Sequence, residues 1–168
     1  IECVATSEAS AAAARAGGLV VRDMAEVARV DLTIDGADEV DPDLHLIKGG
    51  GGAHLHEKIV AAASRRMVVI ADPGKVVEQL GAFPLPVEVV RFGAATTARR
   101  IEAMLEQMDV DGREVLLRQT SGKPVVTDEG HYILDLRLGR IGNAPALALG
   151  LWRLATRSQR WMLAGADL

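Results

Sequence analysis

The chain has 168 residues, 49% of them hydrophobic and 25% charged, enough apolar material for one or two buried cores. With 19 basic and 23 acidic residues the net charge is −4, which provides no electrostatic footprint for nucleic acid or an acidic membrane surface. Cys3 is the only cysteine, which excludes an intramolecular disulfide and a zinc cluster built from cysteines.

In chain order, Ile1–Ala5 reads as a strand and Glu8–Ala16 as an Ala-rich helix stopped by Gly17-Gly18, after which Leu19–Val21 is apolar again. Val30–Ile34 reads as a buried strand ending at Asp35, Ala53–Ser64 as a helix and Met67–Ala71 as a strand. Short apolar strands alternating with helices predict an α/β fold, an open and mostly parallel sheet with helices on both faces. At Phe83-Pro84-Leu85-Pro86 two close prolines disfavour helix and central strand, so a domain crossing is expected there. Beyond it the pattern is strand Val87–Arg91, helix Ala94–Gln107, strands Glu114–Arg118, Val125–Val126 and Tyr132–Leu136, then helix Ala144–Leu154. A small α+β layer packs such a set, with a hairpin turn at Asp128-Glu129-Gly130. Arg153, Arg157 and Arg160 recur at helical spacing and read as a solvated face.

Chemistry-bearing residues concentrate after the Val30–Ile34 run. Asp35, Asp38, Glu39, Asp41 and Asp43 crowd one turn and repel one another unless they share something polar or cationic. A turn role, a metal or a set of sugar hydroxyls would each account for them, although the spacing is not that of a calcium loop. Lys48 follows, then Gly49, Gly50, Gly51 and Gly52, a run whose ordering is costly and which suits a backbone approached closely by a ligand. Feeding a helix N-terminus, it offers N–H groups to an anion or a polarised oxygen. Glu57 lies in the helix that follows, where desolvation could tune it as a general base, though most helix glutamates are simply solvated. Lys48 and Lys75 flank strand ends and could hold a phosphate or a developing oxyanion. His54 and His56 lack the second histidine of a zincin helix, so no metal is expected. No apolar run spans a bilayer and no basic segment precedes an apolar core at the N-terminus, making a cytoplasmic location the expectation.

Five ordered segments resemble type A ribose-5-phosphate isomerase: Asp31-Leu32-Thr33-Ile34-Asp35-Gly36-Ala37-Asp38-Glu39-Val40-Asp41, Leu46-Ile47-Lys48 through Ala53, Glu57-Lys58-Ile59-Val60-Ala61, Phe83 through Val89, and Val126-Thr127-Asp128 through Asp135. The resemblance implies a metal-free, cofactor-free aldose–ketose isomerase that interconverts ribose 5-phosphate and ribulose 5-phosphate through an ene-diolate. It implies Glu57 as base, Asp35, Asp38 and Lys48 as substrate-contacting groups, and Lys75 near the sugar phosphate. A small-molecule pentose phosphate partner, no nucleic acid, no membrane, and a homo-oligomer, dimer or tetramer, follow with it. So does a division into an α/β catalytic domain over 1–82, a ferredoxin-like α+β domain over 83–163, and the start of a return to the main sheet over 164–168. The family opens with a further strand and a Gly-Thr-Gly-Ser-Thr-type phosphate loop, and the expectation is that the chain lacks both. A non-catalytic sugar-phosphate binding module or an inactive truncated fragment is the alternative. His131 stands where the family has Asn, at a turn expected to favour a residue tolerant of positive φ.

Overall fold

A computed structural model describes residues 1–157 and 162–164. Arg160 of the basic face and 165–168 of the expected return to the main sheet lie outside the described residues. In chain order the first elements are β1 (Glu2–Cys3), α1 (Glu8–Ala16), β2 (Val20–Val21), β3 (Thr33–Gly36), β4 (Glu39–Val40), β5 (Leu46–Ile47), α2 (His54–Ala62) and β6 (Met67–Ile70). There follow β7 (Leu85–Val89), α3 (Ala94–Leu105), β8 (Glu114–Leu117), β9 (Gln119–Thr120), β10 (Lys123–Pro124), β11 (Tyr132–Arg137), α4 (Ala144–Arg157) and β12 (Met162–Ala164). The content is α/β, with parallel and antiparallel strand pairs. Among the described residues no helix is long and apolar enough to cross a membrane.

The chain divides into two compact units. The first comprises Ile1–Asp35 and Leu55–Ile70. Here α1 takes the expected bounds: Ser7 caps its N-terminus by accepting from the Ser10 N–H, and Gly18 at φ +80 follows its end. β1 and β2 pair in parallel, and β3 pairs with β6. The strand expected at Val30–Ile34 is displaced toward its C-terminus, since Val30 makes only an isolated bridge to Ser64 and Asp35 lies inside β3 rather than beyond it. Thr33 and Ser64 join hydroxyls across this pairing, and Ser64 donates onward to the Val60 carbonyl. Burial alternates along β6, and Leu32, Ile34, Val68 and Ile70 are exposed.

The second unit comprises Gly36–His54 and the described residues from Ala71 onward. Its sheet has the order β12-β7-β11-β8, antiparallel throughout, and the sequence β7-α3-β8-β11-α4-β12 makes it a ferredoxin-like βαββαβ layer. Helix α3 buries Ile101 and Leu105, and α4 buries Leu147 and Leu151, against Leu85, Val87, Val89, Leu134 and Leu136. The prolines do not keep this segment out of the sheet interior: Pro86 lies within β7 and pairs with Asp135. Among the described residues, β12 pairs with Val87 to Val89. The strand expected at Val125–Val126 reduces to a bridge between Val126 and Tyr132, while Ser121 and Gly122, both at positive φ, turn β9 into β10.

Candidate functional site

In the second unit a short hairpin builds the acidic turn. β4 and β5 pair Glu39 with Ile47 and Val40 with Leu46, and the Asp38 N–H donates to the Ile47 carbonyl at 2.7 Å. Asp38, just before the hairpin, and Lys48, just after it, are thereby set opposite each other. Lys48 is 4% exposed and its ammonium donates to the Gly36 carbonyl, so the cation ties the acidic turn to the start of the Gly run.

Three of the crowded acids, Glu39, Asp41 and Asp38, have separate partners within the protein. Glu39 is buried and accepts from the Gly81 and Phe83 N–H groups, each at 2.6 Å. Asp41 accepts from the His45 N–H and meets the His45 ring at 3.0 Å, closing the hairpin loop. Asp38 accepts from the Gly50 N–H at 2.8 Å. Asp41, Asp43 and His45 have ligand atoms within 4.8 Å of one another and could hold a cation, with Asp41 and His45 already bonded to each other.

The four glycines have different neighbours. A Cβ at Gly49, whose φ is +91, would stand 2.1 Å from the His54 ring, and one at Gly50 would stand 2.5 Å from the Asp38 carboxylate. At Gly52 it would touch Ile133, whereas at Gly51 it would meet nothing within 4 Å, and Gly51 is exposed. Glycine at the first two positions is therefore demanded by packing, and at Gly51 the backbone itself is open to approach.

Beneath this turn lies the sheet face that α3 and α4 do not cover. Side chains alternate along a strand, so with Leu134 and Leu136 turned to the helices, Asp135 and Ile133 take the opposite face, as does Glu88 on β7. Arg118, just after β8, forks onto Asp135 through Nε and Nη2 and donates from Nη1 to the Gly50 carbonyl at 2.9 Å. Glu88 is 2% exposed; its Oε1 accepts from the Thr127 hydroxyl and faces the His131 Nδ1 at 3.1 Å, while Oε2 has no partner among the described residues. His131 is thus a neighbour of a buried carboxylate, and the positive φ of its turn belongs to Gly130 instead. His54 is buried with neither ring nitrogen bonded among the described residues; burial pushes its imidazole below the usual histidine range, Glu88 opposes this, Arg118 adds to it, and Asp135 and Asp38 oppose it. Arg118, Asp135, Glu88 and His54 were given no role by sequence reasoning. The available signal was a charge set inside an apolar strand, in Val87-Glu88-Val89 and in Leu134-Asp135-Leu136.

The predicted residues divide between the units. Asp38, Lys48, Gly49, Gly50, Gly51 and Lys75 belong to the second, and the first five are gathered by the hairpin and the Gly run. Lys75 closes the short 3-10 turn Pro73–Lys75, which is tied back to β4 where the Val77 N–H donates to the Val40 carbonyl. Asp35 and Glu57 belong to the first unit, Asp35 on β3 and Glu57 in the first turn of α2.

Residues 2–155 match the family model described as ribose 5-phosphate isomerase A (phosphoriboisomerase A). The chain is 59% identical over 154 residues to ribose-5-phosphate isomerase A of Dinoroseobacter shibae, covering 92% of this chain and 59% of that one. It superposes on the crystal structure of ribose 5 phosphate isomerase A from Neisseria gonorrhoeae with a TM-score of 0.82 at 36% identity, covering 98% of this chain and 67% of that one. A D-ribose-5-phosphate isomerase solved in complex with phospho-erythronic acid gives a TM-score of 0.81 at 29% identity, covering 99% and 70%. The chain thus spans about three-fifths of the length of the curated relative from Dinoroseobacter shibae. The matched span holds the Gly run and the acidic hairpin, and the chain belongs to the ribose 5-phosphate isomerase A family.

Proposed function

We propose that the chain carries the reaction machinery of an aldose–ketose isomerase that interconverts ribose 5-phosphate and ribulose 5-phosphate. The observation that supports it most is a family match over residues 2–155 that includes a hairpin holding an acid, a buried ammonium and an approachable glycine backbone together. In this reading Glu57 takes the proton from C2 of the open-chain aldose and delivers a proton to C1 of the resulting ene-diolate. A positioned base contributes about 10²- to 10⁴-fold to such a step. Lys48 and the N–H groups of Gly49, Gly50 and Gly51 stabilise the charge that develops on the ene-diolate oxygens. Asp35 and Asp38 accept from sugar hydroxyls, a carboxylate having acceptor sites beyond the one Gly50 takes from Asp38. Lys75 pairs with the phosphate. A proton is moved and no electrons leave the sugar, so the reaction calls for no redox cofactor.

The solved relative in complex with phospho-erythronic acid, a phosphorylated sugar acid, supports a ligand of this class. A homo-oligomer, a cytoplasmic location and a functional boundary near residue 83 belong to the same proposal; light scattering, fractionation and limited proteolysis check them. The test of the chemistry is conversion of ribose 5-phosphate in deuterium oxide, followed by NMR. Deuterium at C1 of the ribulose 5-phosphate formed is the expected result. No conversion, or full retention of the C2 hydrogen at C1, would overturn the reading.

A further inference from the structure

We propose that Arg118 is a positioning residue for this isomerisation, holding the Gly50–Gly51 peptide so that the Gly51 N–H is presented to the ligand. The inference rests on the proposed function and adds a residue 68 positions away from Gly50 in sequence.

The Gly50 residue is gripped at both of its polar ends. Its N–H donates to Asp38 Oδ2 at 2.8 Å and its carbonyl accepts from Arg118 Nη1 at 2.9 Å. Arg118 is itself fixed: Nε and Nη2 occupy both oxygens of Asp135, and its backbone joins β11 and the strand region beyond through the Ile133 carbonyl and the Val125 N–H. Both side chains are about four-fifths buried, where a bidentate pair is geometrically exacting and little screened by solvent.

Fixing that carbonyl fixes a donor. In a planar trans peptide the N–H of the next residue points opposite the C=O, so an Arg118 grip on Gly50 aims the Gly51 N–H to the other side. A cation on the carbonyl also polarises the amide and strengthens its N–H as a donor. Gly51 is exposed and has no heavy atom within 4 Å of where a side chain would start, so a ligand oxygen can reach it. Without the grip, a run of four glycines has many other ways to orient that peptide, and the entropy of ordering it would fall on the reaction.

The test compares Arg118→Lys and Arg118→Ala with the unaltered protein in steady-state isomerisation. Lysine keeps the charge but cannot chelate Asp135 and reach Gly50 together. Both variants should lose about 10- to 100-fold in kcat with KM changed by less than about threefold, because a misaimed donor costs most in the transition state. Guanidinium ion added to Arg118→Ala should restore part of the rate, and should not help Arg118→Lys. A kcat within about twofold of the parent in either folded variant, or a loss confined to KM, would overturn the proposal. A second readout does not need turnover or the alanine variant. On adding ribose 5-phosphate, the Gly51 amide resonance should shift in the parent and shift much less in Arg118→Lys and Asp135→Asn. Equal shifts in all three would overturn the positioning role, whereas a parent that binds with a Gly51 shift yet does not isomerise would overturn only the proposed function.

Discussion

The two units solve the problem of stability differently. In the second, β7 is buried along its whole length and every member of the main hydrophobic cluster, from Ile47 to Leu151, belongs to that unit. In the first, the strands are two to four residues long, Leu32, Ile34, Val68 and Ile70 are exposed, and Ala11, Thr33 and Val60 are buried. Elements with fewer buried apolar contacts open at lower free energy. The backbone donors and Lys48, which must be aimed, thus belong to the unit with the deep core, while Glu57, which in the proposed reaction moves a proton, belongs to the lightly packed one.

The sharpest way to break this comparison is inside the Gly run. Gly49→Ala puts a methyl into the His54 ring at a φ of +91, and should cost about 2–4 kcal/mol in denaturant unfolding. Gly51→Ala has open space and should cost less than about 1 kcal/mol, while still lowering isomerisation if the Gly51 backbone meets the ligand. Equal costs at the two positions would refute the division of roles among the glycines. Next in size is Glu39→Ala, which strips two N–H groups, those of Gly81 and Phe83, of their acceptor; a loss of about 2–3 kcal/mol in the same titration is expected.

A smaller effect concerns acid. His54 has its folded-state affinity for protons lowered by burial, among charges from Glu88, Arg118, Asp135 and Asp38. Above about pH 6.5 the ring is neutral folded or unfolded; below it the unfolded chain takes up a proton that the folded chain refuses, so stability falls as pH falls from there toward the depressed folded value. The slope from this one group cannot exceed about 1.4 kcal/mol per pH unit. His54→Leu should remove that component from melting curves recorded between pH 7 and 5; an unchanged slope would count against it. Smallest of all is the exposed pair Arg22–Glu2 in the first unit, where Glu2→Gln should leave the melting midpoint unmoved.

What the sequence made legible follows from range. Helix α1 takes the bounds announced by its Ala-rich run and the Gly17-Gly18 stop; beyond Leu85 the two helices and their flanking strands were legible, while β12 was not, and the βαββαβ order followed from the resemblance. The hairpin that sets Asp38 opposite Lys48 was not legible, because β4 and β5 are two residues each and their acids look like a loop. Arg118 gave no local sign of touching Gly50, since that contact is made by tertiary packing across 68 positions. Pro86 misled for a related reason: whether a proline fits a strand position depends on which backbone groups the neighbouring strands engage, and tertiary pairing decides that.

The account stands most directly on Glu57. In Glu57→Gln, isothermal titration with ribose 5-phosphate should give a Kd within about threefold of the parent while turnover falls at least about 100-fold, because in the proposed reaction Glu57 acts on the proton and the Gly run holds the sugar. Turnover at the parental rate in that variant would contradict the account.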